Sequence, residues 1–257
     1  MIITIDKMVA SEGRVRQSDP NLFGNDPQSF RTDYTERKPG VPQMLLVEQP
    51  LPGSTVLAHY HSQDQFQLFV DGNGTMGRHS VTALTLHYSN RYTGYGPIVA
   101  GQEGLSYYVL RPSFDMLGSG QYLIRPELRD KLKKHPGPKL SIVADPIVPD
   151  TPESLRALTG VVVKKLLDEP TRDSERGLAA ELISMAAGTE YSGIEPSSGS
   201  GQVLLVIAGS AEHNGNRLLP RAGVAITPEE PPLRIRASGD GAQVLLLQYP
   251  RRTPEGL

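Results

Sequence analysis

The chain has no cysteine. That single absence removes disulfides, thiolate metal sites and cysteine nucleophiles together, so any metal would have to be held by nitrogen and oxygen. An excess of charge is missing too: 26 Lys and Arg stand against 28 Asp and Glu. Such balance gives no strong single-sign field to attract nucleic acid or anionic lipid, and neither is an expected partner. No apolar run approaches the length of a bilayer crossing, and MIITIDKMVA carries Asp6 and Lys7 where a signal peptide would be apolar. The expectation is a soluble, cytosolic (cytoplasmic) protein. Glycine stretches such as DGNGTMG lack the lysine and the strand-to-helix order of a phosphate loop, and there is no Gly-x-Ser-x-Gly elbow. Nucleotide binding and serine hydrolysis are therefore unsupported, and no helix-turn-helix suggests a regulator.

What is present reads as all-β. The 26 glycines and 22 prolines are scattered, which suits many short strands joined by tight turns. Residues 1–42 are polar and turn-rich, an irregular arm with a short strand at Ile2 to Ile5 that packs on, or swaps between, domains. From Gln43 to Arg111 brief apolar runs alternate with turn residues: QMLLVEQ, STVLAHYH, FQLFV, TALTLHY, LSYYVLR. Within this series DGNG at Asp71 to Gly74 predicts a tight hairpin turn, because Asp-Gly and Asn-Gly tolerate the positive backbone angles it needs. Residues 112–176 read as an inter-domain connector with two short helices. RPELRDKLKK has Pro126 in the first turn, Glu127 near the positive end and lysines near the negative one; TPESLRALTG starts from a Thr151 cap and ends at Gly160. VVVKKLL at 161–167 reads as a strand or a continuation of the connector. Residues 177–257 hold a second β series that mirrors the first, each with a glutamine seven residues before a glycine (Gln65 and Gly72, Gln202 and Gly209), and internal duplication is the preferred explanation.

The chemistry-bearing stretch is GSTVLAHYHSQDQFQLFVDG. Alternate side chains of a strand share a face, so His59 and His61 address one point. In order come Gly53, five residues, His59-x-His61, three residues, Gln65, six residues and Gly72. This resembles the first motif of the cupin superfamily, except that the family has an acid where Gln65 stands. The resemblance implies a bicupin, two double-stranded β-helix (jelly-roll) barrels joined by a partly helical connector. It also implies a divalent transition metal (Fe, Ni, Zn, Mn or Cu) held by His59 and His61, assisted by Gln65 and His87. The third histidine of the family's second motif is missing, and Tyr95 stands nearest its place.

Tyrosines 88, 92, 95, 107 and 108 concentrate beside this motif. Amphipathic rings suit a small-molecule pocket, and Tyr88, Tyr95, Gln67 and Tyr107 are the expected substrate-binding residues. Ordinary strand tyrosines would look the same. Arg91 and Arg111 read equally as counter-charges for an anionic substrate or as surface cations. In the second copy no histidine stands where the pair should be, and His213 falls in the turn AEHNGN. That copy is expected to bind no transition metal and to act as a scaffold in a homodimer. Two functions stay open: a small-molecule enzyme of the cupin type, oxygenase or isomerase, with metal in the N-terminal barrel; or a metal-free cupin that binds a metabolite or builds a dimer, with the histidines as pocket-lining hydrogen bonders. No catalytic residue is assigned by sequence.

Overall fold

Among the described residues nineteen strands, all paired antiparallel, follow from the alternation of apolar and polar residues. The computed structural model describes residues 2–3, 14–16, 29–116, 120–167 and 175–252. In chain order the strands are β1 Ile2–Ile3, β2 Arg14–Arg16, β3 Phe30–Asp33, β4 Gln43–Gln49, β5 Thr55–Val56, β6 His59–Tyr60, β7 Gln65–Met76, β8 His79–Thr82, β9 Leu86–Ser89, β10 Ile98–Arg111, β11 Gln121–Tyr122, β12 Ser141–Val143 and β13 Val161–Lys165. They continue as β14 Ala179–Met185, β15 Glu190–Ser192, β16 Gln202–His213, β17 Asn216–Leu218, β18 Gly223–Ile226 and β19 Arg234–Gln248. Two helices, α1 Pro126–Lys134 and α2 Pro152–Ala157, lie between β11 and β13.

The chain divides into two compact units, Lys7–Ile147 and a second comprising Met1–Asp6 with Val148–Leu257. In the N-terminal unit the main sheet runs β12-β9-β7-β10-β4-β3-β2, with β5 on β10 and β8 on β7; β6 and β11 form a separate pair. The C-terminal unit runs β1-β18-β16-β19-β14-β13, with β15 on β19 and β17 on β16. The two orders correspond around one long central pair, β7 with β10 and β16 with β19, except that β2 has no counterpart. Duplication thus has a topological counterpart as well as a sequence one. The segment read as a connector is shared out: β12 extends the first sheet and β13 the second. The arm contributes β1, at the start of the short strand expected from Ile2, to the C-terminal unit, and adds β2 and β3, which were not expected, to the N-terminal one. Its expectations for residues 4–13 and 17–28 fall outside the described residues.

Local chemistry explains most elements. Helix α1 has Pro126 and Glu127 in its first turn and lysines in its last, as its sequence predicts. The Thr151 side chain accepts from Ser154 N at 3.1 Å and caps α2. That helix stops at Ala157 rather than Gly160, because Leu158 is already extended.

DGNG is not a turn. Asp71 to Gly74 lie inside β7, and the chain reverses later, at Gly77 and Arg78. The glycines serve close packing instead: a Cβ on Gly72 would fall 2.1 Å from the Gly104 carbonyl oxygen, and one on Gly74 2.2 Å from that of Val99. Each unit has its own core. Leu204, Val206, Val244 and Leu246 centre the C-terminal one; Leu45, Phe69, Leu105, Tyr107 and Val109 centre the N-terminal one. Burying one such side chain contributes about 1.5–3 kcal/mol.

Candidate ligand site in the N-terminal unit

Strand alternation decides which side chains face inward. Leu45 on β4, Phe69 on β7 and Leu105, Tyr107 and Val109 on β10 belong to the buried cluster, so Gln43, Gln65, Gln67 and Arg111, at alternate positions on the same stretches, share that inner face, with His87 of β9 opposite Gln67. His59 enters from β6, which Tyr95 flanks through reciprocal backbone hydrogen bonds with His59. The polar residues gather at one end of this face, beside the apolar cluster.

His59 Nδ1 donates to the Leu57 carbonyl oxygen at 2.6 Å. A carbonyl only accepts, so the proton sits on Nδ1 and Nε2 is left as an acceptor. Nothing among the described residues hydrogen-bonds that Nε2. The ring is 5 % exposed and packs on Tyr95, His61 and Tyr122 at centroid distances of 4.6, 5.0 and 5.5 Å.

His61 has both nitrogens engaged. Arg111 Nη2 donates to His61 Nε2 at 3.0 Å, and His61 Nδ1 donates to Asp115 Oδ2 at 2.6 Å. Asp115, fully buried, also accepts from Ser62 Oγ at 2.5 Å. The same guanidinium donates through Nε to Gln65 Oε1 at 2.9 Å and through Nη1 to Gln43 Oε1 at 2.6 Å. Gln65 Nε2 then donates to the Tyr95 hydroxyl at 2.6 Å. A neutral imidazole therefore links an arginine to an aspartate, and two glutamine amides hold the arginine from its other edges.

Burial is the main cause of every shifted histidine here. It lowers His59 to about 4, with Arg111 adding to the effect and the Leu57 carbonyl opposing it. His61 falls to about 3 by burial and the Arg111 charge, against the Asp115 hydrogen bond. His87 also falls to about 3, by burial and the nearby His79 and His59. Burial alone would raise Asp115, but the His61 hydrogen bond, the Arg111 charge and the Ser62 hydrogen bond hold it at about 2. Burial raises the Tyr95 phenol to about 12 and pushes Tyr107 well above its ordinary value.

The expected residues are only partly brought together. His59, His61, Gln65 and Tyr95 meet, and Tyr107 lies in the adjoining cluster. His87 contacts the Tyr95 ring at 5.1 Å, but its nitrogens are used by Gln67 Oε1 at 2.8 Å and Ser141 Oγ at 2.9 Å. Gln67 is thus the partner of His87. Tyr88 is on the opposite face: it packs on Phe66 and its hydroxyl donates to Asp64 Oδ1 at 3.3 Å. Sequence reasoning missed Gln43, Asp115 and Gly120. The only advance signal was Arg111, read as one of two candidate cations.

Gly120 covers the pair. A Cβ there would lie 3.0 Å from His59 Cδ2 and 3.2 Å from His61 Cε1, and its φ of +100° suits glycine alone. Gly120→Ala is expected to cost about 1–3 kcal/mol through backbone strain and displaced imidazoles, read from urea unfolding. A variant as stable as the parent would show that the chain does not pass so close to the rings.

No family model and no curated protein sequence matches the chain. Solved structures do. A cupin 2 conserved barrel domain protein from Leptotrichia buccalis is 10 % identical over 92 % of this chain and 95 % of its own, with a TM-score of 0.50. Lactobacillus farciminis oxalate decarboxylase, in a formate complex, is 12 % identical over 93 % and 86 %, with a TM-score of 0.53. A bacterial pirin from Escherichia coli, in complex with nickel(II), is 12 % identical over 92 % and 99 %, with a TM-score of 0.51. At such identities the likeness is one of fold: the chain has a cupin fold.

The metal that this fold suggests does not fit these residues. Two of the candidate donors, His61 Nε2 and Gln65 Oε1, already face the Arg111 guanidinium, and His87 has both nitrogens engaged. No carboxylate is among the donors, so a divalent ion at His59 and His61 would meet a neighbouring cation with nothing but Asp115 to balance both. Among the described residues no group of three or more His, Cys, Asp or Glu is placed to hold an ion. Nor is any described helix long and apolar enough to cross a membrane.

Proposed function

We propose, from the cupin fold of this chain, that it is a bicupin whose N-terminal barrel binds a small neutral phenol without a metal ion. The observation that carries this reading is His59 Nε2, an acceptor fixed by its tautomer on a ring only 5 % exposed, to which none of the described residues donates. An acceptor so fixed is open to a donor, which a ligand hydroxyl supplies. Tyr95 adds a complementary group: its oxygen accepts from Gln65 Nε2, so its proton is oriented to donate elsewhere. The adjoining cluster is aromatic and apolar, with Tyr95, Tyr107, Tyr122 and Phe69 packed together, a composition compatible with a flat ring. Charge argues for a neutral ligand, because Asp115 already offsets Arg111 through His61 and the guanidinium is held by two glutamines.

Calorimetric titration tests the reading with phenol and catechol against anisole and benzoate. The phenols bind, and removing the hydroxyl proton or adding a carboxylate weakens binding about tenfold or more, the cost of one buried hydrogen bond or charge. His59→Phe abolishes the preference for phenol over anisole. Benzoate binding as tightly as phenol, or no binding by either phenol, would refute it.

A further inference from the structure

We infer that the Arg111 guanidinium is a built-in cation standing where a metal would stand, and that the N-terminal unit holds a latent metal site which this side chain closes. The geometry is specific. Arg111, 4 % exposed, places Nη2 3.0 Å from His61 Nε2 and Nε 2.9 Å from Gln65 Oε1, two atoms that would otherwise point at an ion. Both histidines are otherwise prepared as ligands are: each Nδ1 donates to an oxygen, Leu57 O for one and Asp115 Oδ2 for the other, which fixes the ring and turns Nε2 inward. One substitution removes the anionic donor, glutamine at 65; another supplies the positive charge, arginine at 111.

The duplicated unit gives an internal comparison. Gln202 opens β16 as Gln65 opens β7, and Gln202 pairs with Gln248 on β19. Arg111 stands at the corresponding end of β10, one step past the Leu110 to Phe66 pair. There the contact is amide to amide, Gln202 Nε2 donating to Gln248 Oε1 at 2.7 Å, with no imidazole nearby to satisfy. The cation occurs in the unit that has the histidine pair.

Metal content decides the matter, measured by elemental analysis after purification without a metal-affinity tag and dialysis against cobalt(II) or nickel(II). The parent protein retains under about 0.1 equivalent, whereas the double variant Gln65→Glu with Arg111→Met retains about one, with the cobalt(II) absorption bands of nitrogen and oxygen ligation. Gln65→Glu alone stays metal-free, since the guanidinium then pairs with the new carboxylate. Should the double variant fail to fold, Arg111→Met with Asp115→Asn removes both charges together and leaves His59, His61 and Gln65 as neutral donors; it is expected to take up nickel(II). Overturning results are a stoichiometric ion in the parent that His59→Ala and His61→Ala remove, uptake by Gln65→Glu alone equal to that of the double variant, or folded double variants that bind nothing. Phenol binding enters none of these readouts, so the inference and the proposed function stand or fall separately.

Discussion

Asp115→Ala is expected to destabilise the N-terminal unit by about 3–5 kcal/mol, the usual cost of leaving one member of a buried charge pair alone. Asp115 is fully buried and Arg111 nearly so, and the neutral His61 ring joins them. Alanine strands the guanidinium inside the protein and leaves His61 Nδ1 and Ser62 Oγ without their acceptor. Asp115→Asn keeps an acceptor oxygen but not the charge, and should fall between alanine and the parent. Pairing Asp115→Ala with Arg111→Met should recover part of the loss, because no uncompensated ion remains. Urea unfolding of the four proteins gives the comparison. A loss below about 1 kcal/mol for Asp115→Ala would mean the pair is solvated, and the closed site described above would not exist.

Acid is expected to unfold the N-terminal unit well before its carboxylates titrate. His59, His61 and His87 lie at about 4, 3 and 3 in the folded protein, against 6.5 for the free side chain. For a base with a lowered folded pKa, the unfolded chain takes up the proton first, so stability falls as pH drops through 6.5 and continues to fall until the folded value is reached. At pH 5 each histidine then costs about 2 kcal/mol, about 6 kcal/mol for the three, comparable to the whole stability of an ordinary domain. Asp115 has the opposite sign: its lowered pKa contributes stability that is lost only below its ordinary value of 3.8, outside this window. The expected result is a thermal midpoint that drops steeply between pH 6.5 and 5, with uptake of about three protons on unfolding near pH 5, measured calorimetrically in buffers of different ionisation enthalpy. A midpoint flat across that range would show that the imidazoles are charged or solvated in the native state.

The strands were legible because alternation is a local property: QMLLVEQ, LSYYVLR and QVLLVIAG became β4, the end of β10 and β16. So was the His-x-His pair, whose rings lie 5.0 Å apart because the residues are close in the chain, although β6 ends at Tyr60 and His61 stands just beyond it. The DGNG prediction failed for a reason of range. Turn propensity is local, but at Gly72 and Gly74 the deciding contact is with carbonyls of β10, which no local pattern contains.

By itself, then, the sequence determined a mostly β chain, the absence of thiolate chemistry and the location of two imidazoles. Only tertiary structure decided what those imidazoles do. Arg111 and Asp115 are 50 and 54 residues from His61 along the chain, in stretches read as a last strand and a connector, and it is the pairing of β10 with β7 and β4 that carries the guanidinium onto the inner face. Whether a histidine meets a metal, a ligand or an arginine depends on what arrives from elsewhere in the fold, and long-range register sets that where spacing within a motif does not.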